Sequence, residues 1–526
     1  MLLPKKVRLS KPVAVAHEKI FDFLLRVNEE RNINATLRVA GGWVRDSLLG
    51  LHSQDIDIAI ESATTRHVSG ELFAREVASH QEALGMTART VSVIRVNPEL
   101  SKHIETATVC VYDTPIEFCA LRHDEYTRSD SRIPVVRPAT TVEDALRRDY
   151  TVNALFYNLH TKEVEDYTTG LEDLDRRILR CPLDPKETLT DDPLRLLRGV
   201  RFVGQLGELG FVLDESIFRC VDKELLKKVT LKVSRERVGK ELVKMLSGPF
   251  AEKCIETLHE LNLLREVILV ELHLKSSKKG CVTAEVERTE HLAYNGEAGS
   301  TGLECLLSLN RTLVPLFSRS GSKVQLSPDS PDKLIAMIFI SCLGFYRGVS
   351  QSQIEDRLYA LCVNGLKLPV SSYNTVRRMI ECYNTLKREG LNVCEISDGE
   401  VTTAAKLAIF KGLNDLNDKK TIPSAFNIVF AAFILVEHRC DLLAGGDVEG
   451  SGCVVDRLLL ALEQVPGLLD AFSRPLPLRG NELAKLVPLE PPQIGPALLA
   501  LRQYLMLHPQ ASKDDMIHWL RQGGSS

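Results

Sequence analysis

Two aspartates one residue apart, Asp55 and Asp57, open the run Asp55-Ile56-Asp57-Ile58-Ala59-Ile60, whose polar and apolar residues alternate as in a half-buried strand. Residues i and i+2 of a strand share a face, so the two carboxylates stand side by side while Ile56 and Ile58 enter the core. Like charges so close repel unless a cation neutralises them, and hard oxygen ligands suit Mg2+ or Mn2+. Such a pair by itself also occurs on plain solvated strands and turns. The segment upstream gives it a substrate: Gly41-Gly42 lets backbone amides approach a phosphate, and the helix opening at Trp43 offers its positive end. Arg45, in that helix's first turn, can grip a phosphate through two hydrogen bonds. Metals held by the carboxylates would then activate a hydroxyl and cover a leaving pyrophosphate.

The elements that must position these groups read in the order strand, tight turn, helix, strand. Leu37-Arg38-Val39-Ala40 is a short strand, and the helix Trp43 to Leu49 stops at Gly50 before the carboxylate strand begins. Val13 to Val27 has helical spacing, while Val91 to Val96, Thr106 to Tyr112 and Pro115 to Leu121 are further strands. The first ~180 residues therefore read as a mixed α/β domain with a small sheet. Glu117 turns opposite to Ile116 and Phe118 and is a candidate third acid near the metals, with a solvent-facing Glu as the alternative. Arg122 to Thr141, polar and carrying Arg128, Arg132 and Arg137, reads as a long mobile loop. Beyond Thr188 helices dominate, as in Asp192 to Leu206, Ser234 to Leu246 and Ala251 to Leu264. A polar insertion runs from about 275 to 300, and a Pro-punctuated stretch near 475 to 496 separates two C-terminal helical segments.

Leu37-Arg38-Val39-Ala40-Gly41-Gly42-Trp43-Val44-Arg45-Asp46, followed by Asp55-Ile56-Asp57-Ile58, resembles motif A of the class II tRNA nucleotidyltransferases, the CCA-adding enzymes and their bacterial poly(A) polymerase relatives. Gly42 and Arg45 fall where that family contacts the nucleoside triphosphate, and Asp55 and Asp57 on its metal-binding aspartates. Arg147-Arg148-Asp149-Tyr150-Thr151-Val152-Asn153-Ala154 looks like its second box, which implies ribose and phosphate contacts for Arg147, Arg148 and Asn153. Asp166-Tyr167-Thr168-Thr169-Gly170 is similar to the motif joining catalytic and helical parts. Asp191-Asp192-Pro193-Leu194-Arg195-Leu196-Leu197-Arg198 looks like the base-selecting motif. Asp192 and Arg195 lie three apart on a helix, with Arg198 one turn on. A carboxylate accepting from an exocyclic amine beside a guanidinium donating to a ring nitrogen can choose C and A, whose pairing edges both offer an amino group. An N-cap and a surface ion pair are the structural alternative for the same residues. Ser234-Arg235-Glu236-Arg237-Val238 resembles the fifth motif, and Arg122 to Pro138 the flexible loop of members that complete CCA.

The resemblance implies an α+β protein: a nucleotidyltransferase head (1–180), a helical neck (181–250), a helical body (251–390) and a helical, tRNA-binding tail (391–526). It implies addition of C, C and A to the tRNA 3' end from CTP and ATP by a two-metal mechanism. A poly(A)-adding, CC-only or A-only relative, or a catalytically idle tRNA-binding protein, is the alternative. No aspartate/histidine pair has the spacing of an HD phosphohydrolase domain. Composition agrees without deciding: 526 residues call for several structural units, and 44% hydrophobic with 26% charged residues suits an ordinary globular chain. The net charge of -4 does not exclude a basic face for RNA. Thirteen cysteines without a CxxC pair fit reduced thiols inside the cell, in cytoplasm, nucleus or mitochondrion, rather than a zinc site. Lys5, Lys6, Arg8 and Lys11 form a basic end or a weak address. Ala425 to Val436 is too short to span a membrane and reads as a buried helix.

Overall fold

The computed structural model describes residues 3–53, 55–62, 68–86, 90–94, 106–125, 135–264, 310, 313–314, 317, 322–326, 331–345, 358–397, 400–417, 425–437, 448–465, 468–469, 471–473 and 475–524. These fall into two compact units, one of residues 1–242 with 257–267 and one of 243–256 with 268–526. The first unit opens with β1 (Lys5–Val7), α1 (Val15–Glu30), β2 (Ala35–Ala40), α2 (Gly42–Leu49), β3 (Ile56–Ser62) and α3 (Gly70–Ala83). It continues through β4 (Ser92–Ile94), β5 (Thr106–Val111), β6 (Thr114–Ala120), β7 (Arg122–Glu125), β8 (Val135–Pro138) and α4 (Thr141–Leu146). Then come β9 (Leu155–Asn158), β10 (Glu163–Asp166), α5 (Gly170–Arg176), α6 (Pro185–Asp191), α7 (Leu194–Gln205), α8 (Glu215–Cys220), α9 (Lys223–Lys232) and α10 (Arg235–Ser247), whose residues from Val243 on count to the second unit.

Eight strands form one mixed sheet in the order β1-β10-β9-β2-β3-β6-β5-β4, in which β3 and β6 run parallel and every other pair is antiparallel. With its mainly helical continuation this is the expected α+β class, but the continuation is not all-α: Ile178–Leu179 pairs with Val212–Leu213, and Ile396–Ser397 with Glu400–Val401. Central β2 is buried along nearly its whole length, as a strand covered on both faces must be. Its Arg38 is buried too, and is tolerated because Glu165 of β10 (2.6 Å) and Glu61 of β3 (2.7 Å) hold its guanidinium. Glu61 in turn accepts from the Thr141 hydroxyl at 3.1 Å, which ties the sheet to α4. β1 corrects one sequence reading: the basic N-terminal segment is not merely a solvated end, since Lys5 to Val7 pair with Asp166 to Val164.

The span read as a loop between Arg122 and Thr141 is also different at its ends, where β7 and β8 form an antiparallel hairpin. Its strand residues Arg-His-Asp-Glu lack apolar alternation, so periodicity could not find them. Arg128 and Arg132 lie outside the described residues, as does the 275–300 insertion.

In the second unit the helices Pro331–Phe345, Val370–Arg388 and Val448–Glu463 pack against the Ala425–Glu437 helix, and Thr403–Asp415 packs against Val370–Arg388; Ala425 to Val436 is buried except at Asn427, the one polar residue that interrupts its apolar run. Near the C-terminus, helices Gly480–Leu486, Pro491–Leu507 and Lys513–Arg521 share a core of Leu483, Leu501 and Met516. Pro496 lies inside a helix rather than at a joint. Among the described residues no helix is long and apolar enough to cross a membrane.

Tyr150 and α7 meet at Gly199, where a Cβ would stand 2.0 Å from the Tyr150 hydroxyl oxygen. Replacing Gly199 by Ala is expected to lower stability by about 1–3 kcal/mol through overpacking, read from the midpoint of urea unfolding.

Candidate active site

The turn after β2 is made possible by Gly41, whose φ of 71° and ψ of -131° suit glycine alone. Val44 and Arg45 donate the first helical backbone bonds to the Gly41 carbonyl, so the amides of Gly42 and Trp43 sit at the open positive end of α2. β3 follows with Ile56 and Ile58 buried, at 1% and 0% exposure, as alternation requires. Asp57 is half-buried on the opposite face, and Asp55 is exposed just ahead of the strand.

Parallel pairing places Asp57 directly beside Glu117 of β6, on the same side of the sheet. Burial, then the Glu117 carboxylate, push the Asp57 carboxyl up to about 6; Arg148 opposes the rise and Asp55 adds to it. Glu117 and Asp55 thus both act on Asp57, in the middle of the sheet. Among the described residues no group of three or more His, Cys, Asp or Glu is closed into a ready ligand cage. The donor set fits a hard cation that takes one or two protein carboxylates and completes its shell from phosphate and water.

The sheet face carrying Asp57 and Ala59 also carries Phe156 of β9, and Ala145 of α4 roofs it. That roof brings in Arg148, whose guanidinium lies 4.9 Å from the Phe156 ring centre and 3.5 Å from where a Gly41 side chain would begin. Arg147 is turned elsewhere. Its Nε donates to the Arg122 carbonyl (2.9 Å) and Nη1 to Asp124 (3.3 Å), so it fastens the β7–β8 hairpin.

Arg45 is 3% exposed, with Nη1 donating to Asn153 Oδ1 at 2.7 Å and Nε to Asp46 at 2.8 Å. Asn153 donates onward to Asp149 (3.2 Å), and Arg198 Nε reaches the other Asp149 oxygen at 2.7 Å. Arg45, Asn153 and Arg198, more than a hundred residues apart at the extremes, therefore belong to one hydrogen-bonded chain. Arg45, Arg198 and Arg201 also lie over the Phe202 ring, at 5.2, 5.6 and 4.2 Å from its centre.

One expected arrangement is corrected. Asp192 and Arg195 do not share a helix face, because α7 begins only at Leu194 and Asp192 adopts φ -130° and ψ 93°. Pro193 is the reason, since the residue before a proline is driven out of the helical region. Asp192 pairs with Arg237 of α10 at 2.8 Å, whereas Arg195 donates to the Arg147 carbonyl at 2.6 Å. Tyr150 donates its hydroxyl to the Arg195 carbonyl at 2.9 Å.

The basic residues of α9 and α10 are partly engaged within the protein: Lys228 with Glu224, Lys232 with the Thr190 carbonyl, Lys240 with Glu236. Sequence reasoning passed over Asp144, Asp149 and Arg237 as site residues. Asp144 had a signal, its spacing of three and four from Arg147 and Arg148.

Residues 37–180 match the poly A polymerase head domain family, and 224–272 match a probable RNA- and SrmB-binding site of polymerase A. The chain is 38% identical over 263 residues to the tRNA nucleotidyltransferase cca2 of Schizosaccharomyces pombe, a match covering 48% of this chain and 52% of that one. It is 37% identical over 317 residues to the mitochondrial CCA tRNA nucleotidyltransferase of Saccharomyces cerevisiae, covering 58% and 56%. The chain thus spans about half the length of these curated relatives; against S. pombe cca1 it aligns over 93% of its own length and 92% of the relative's, at 29% identity. Among solved structures it has the fold of a CCA-adding enzyme in an apo form, with a TM-score of 0.64 at 16% identity over 99% of this chain and 100% of the other. A Thermotoga maritima CCA-adding enzyme complexed with tRNA gives 0.60, again at 16% identity and with 99% and 100% covered.

Asp149 provides a test of the network. Burial raises its carboxyl, but Arg198 and the Asn153 amide outweigh burial and hold it down at about 2. A lowered folded value means stabilisation present above pH ~4 and lost as pH falls toward 2. Between pH 5 and pH 3 the stability gap between the parent and Asp149→Asn is expected to narrow by about 1 kcal/mol in urea unfolding.

Proposed function

We propose that the chain is a class II tRNA nucleotidyltransferase that adds C, C and A to the tRNA 3' end from CTP and ATP, releasing pyrophosphate. The observation that carries the reading is the convergence of Asp57, Asp55 and Glu117 beside the Gly41-Gly42 turn, with Arg148 over both. Asp55 and Asp57 would hold the cation, and Glu117 would supply further negative charge for it. A divalent ion of the Mg2+ or Mn2+ kind, when bound there, makes the terminal 3' hydroxyl easier to deprotonate and offsets the charge of the leaving pyrophosphate. Gly41 and Gly42 present the helix end to the triphosphate, and Arg148 meets its charge from the opposite side. Arg45, Asn153 and Arg147 shape this pocket through the contacts that they make within the protein.

Asp192 and Arg195 choose the base, each brought to it by a different support, and Arg198 fixes the helix behind them. A carboxylate acceptor and a guanidinium donor fit the edges of C and A and leave U and G with mismatched groups. Neck, body and tail, in the divisions given above, carry the tRNA. The place of action is intracellular, in cytoplasm, nucleus or mitochondrion; the S. cerevisiae relative is named as mitochondrial.

Labelled CTP and ATP offered with a tRNA that lacks its end test the reading. Incorporation of C, C and A with a stop is expected; processive A tails, a halt after C, or no transfer would each replace it with another activity. Asp57→Ala is expected to lower incorporation by at least about a thousandfold while tRNA binding by filter retention is kept. Asp192→Ala is expected to lose CTP and ATP preference over UTP and GTP, measured as kcat/KM ratios, and unchanged ratios would remove the base-reading assignment.

A further inference from the structure

Beneath Arg147 and Arg148 lies a carboxylate that nucleotide binding and cation binding do not use. Asp144 occupies the last turn of α4, its side chain 2% exposed, three and four residues before the two arginines. One oxygen accepts from Nε and Nη2 of Arg148, at 3.1 and 2.7 Å. The other accepts from Arg147, at 2.9 Å from its Nε, and from the Arg122 backbone N–H at 3.2 Å. A buried carboxylate is tolerated only when paired, and here burial is outweighed by the two guanidinium ions, which keep the group below the ordinary carboxylate range.

The two arginines leave this anchor in different directions. Arg148 goes to the Gly41 turn, its Nη1 on the Asn153 carbonyl at 3.3 Å, within electrostatic reach of Asp57. Arg147 reaches Asp124 at the hairpin base, and its carbonyl receives Arg195. An arginine on a free stem loses rotamer freedom when it meets a phosphate; one already fixed by a bidentate contact does not.

We propose that Asp144 is a positioning residue: it sets Arg148 against the triphosphate turn and Arg147 between the hairpin and Arg195, so that both substrate contacts are made by groups already in place. This rests on the nucleotidyl-transfer reading given above.

The test is a double-mutant cycle in the full chain, with Asp144→Asn and Arg148→Ala alone and combined. Asp144→Asn is expected to raise KM for CTP and for ATP by a common factor of about ten, the usual size for losing a charged partner of a ligand-binding group. Affinity for tRNA should stay at the parent's level. In the Arg148→Ala background the Asp144 change should raise KM by clearly less than it does alone, since the route through Arg148 is already lost and only the one through Arg147 remains. Unchanged KM with a lowered Tm, or factors that multiply in the double variant, would overturn the proposal. Should Asp144→Asn fail to fold, Asp144→Glu keeps the charge, misplaces it by one methylene and is judged by the same readings. A parent chain that transfers neither C nor A defeats the functional reading instead; the same cycle, read by displacement of a fluorescent nucleotide by CTP or ATP, then still decides the role of Asp144.

Discussion

Asp57 and Glu117, held at one register on neighbouring parallel strands in the middle of the sheet, repel each other, and the arrangement of charge around them answers that repulsion. Neither strand can slip to relieve it, because a one-residue slip would turn Ile56, Ile58, Ile116 and Phe118 out of the core. Burial and the neighbouring carboxylate leave Asp57 with a proton affinity far above that of an ordinary aspartate. Positive charge must therefore be supplied, partly by Arg148 and partly by whatever cation and helix end the site recruits. The hydrophobic pattern of two strands thus forces an electrostatic arrangement suited to a triphosphate.

The arginines that answer this charge are themselves restrained. Arg45, Arg148 and Arg198 each carry a carboxylate, amide or carbonyl partner, and Arg45 and Arg198 share one aromatic ring, Phe202. The segment from Asp144 to Asn153 is the common element, reaching β7 through Arg147, α2 through Asn153 and α7 through Asp149 and Tyr150. The close approach at Gly199 belongs to the same construction, since only the missing side chain lets the Tyr150 hydroxyl reach the Arg195 carbonyl. A site preorganised in this way meets developing charge without first ordering its side chains.

Asp192 and Arg195 illustrate how far local spacing can mislead. Their separation of three suggests one face of one helix, but Pro193 ends that helix between them. What holds Asp192 is Arg237, 45 residues on, and what holds Arg195 is a carbonyl 48 residues back. In the proposed reading, base selection depends on the packing of α10 and of the Arg147 segment, so changes in either would be felt at the base without touching it.

Sequence alone determined the strand, turn, helix and strand that present Gly41, Gly42, Asp55 and Asp57, because each follows from a local rule: period-two alternation, glycine's access to positive φ, the direction of a helix's amides. The same alternation placed Glu117 on the face opposite Ile116 and Phe118, and the apolar run of Ala425 to Val436, interrupted only by Asn427, announced a buried helix. Tertiary structure alone decided that Glu117 stands beside Asp57, that β1, β9 and β10 complete the sheet, that a polar stretch pairs as a hairpin, and that Arg45 ends against Asn153. Those outcomes depend on which distant groups share a buried space and must neutralise one another there. Charge pairing has no period along a chain, so it becomes visible only once the hydrophobic core has brought the partners together.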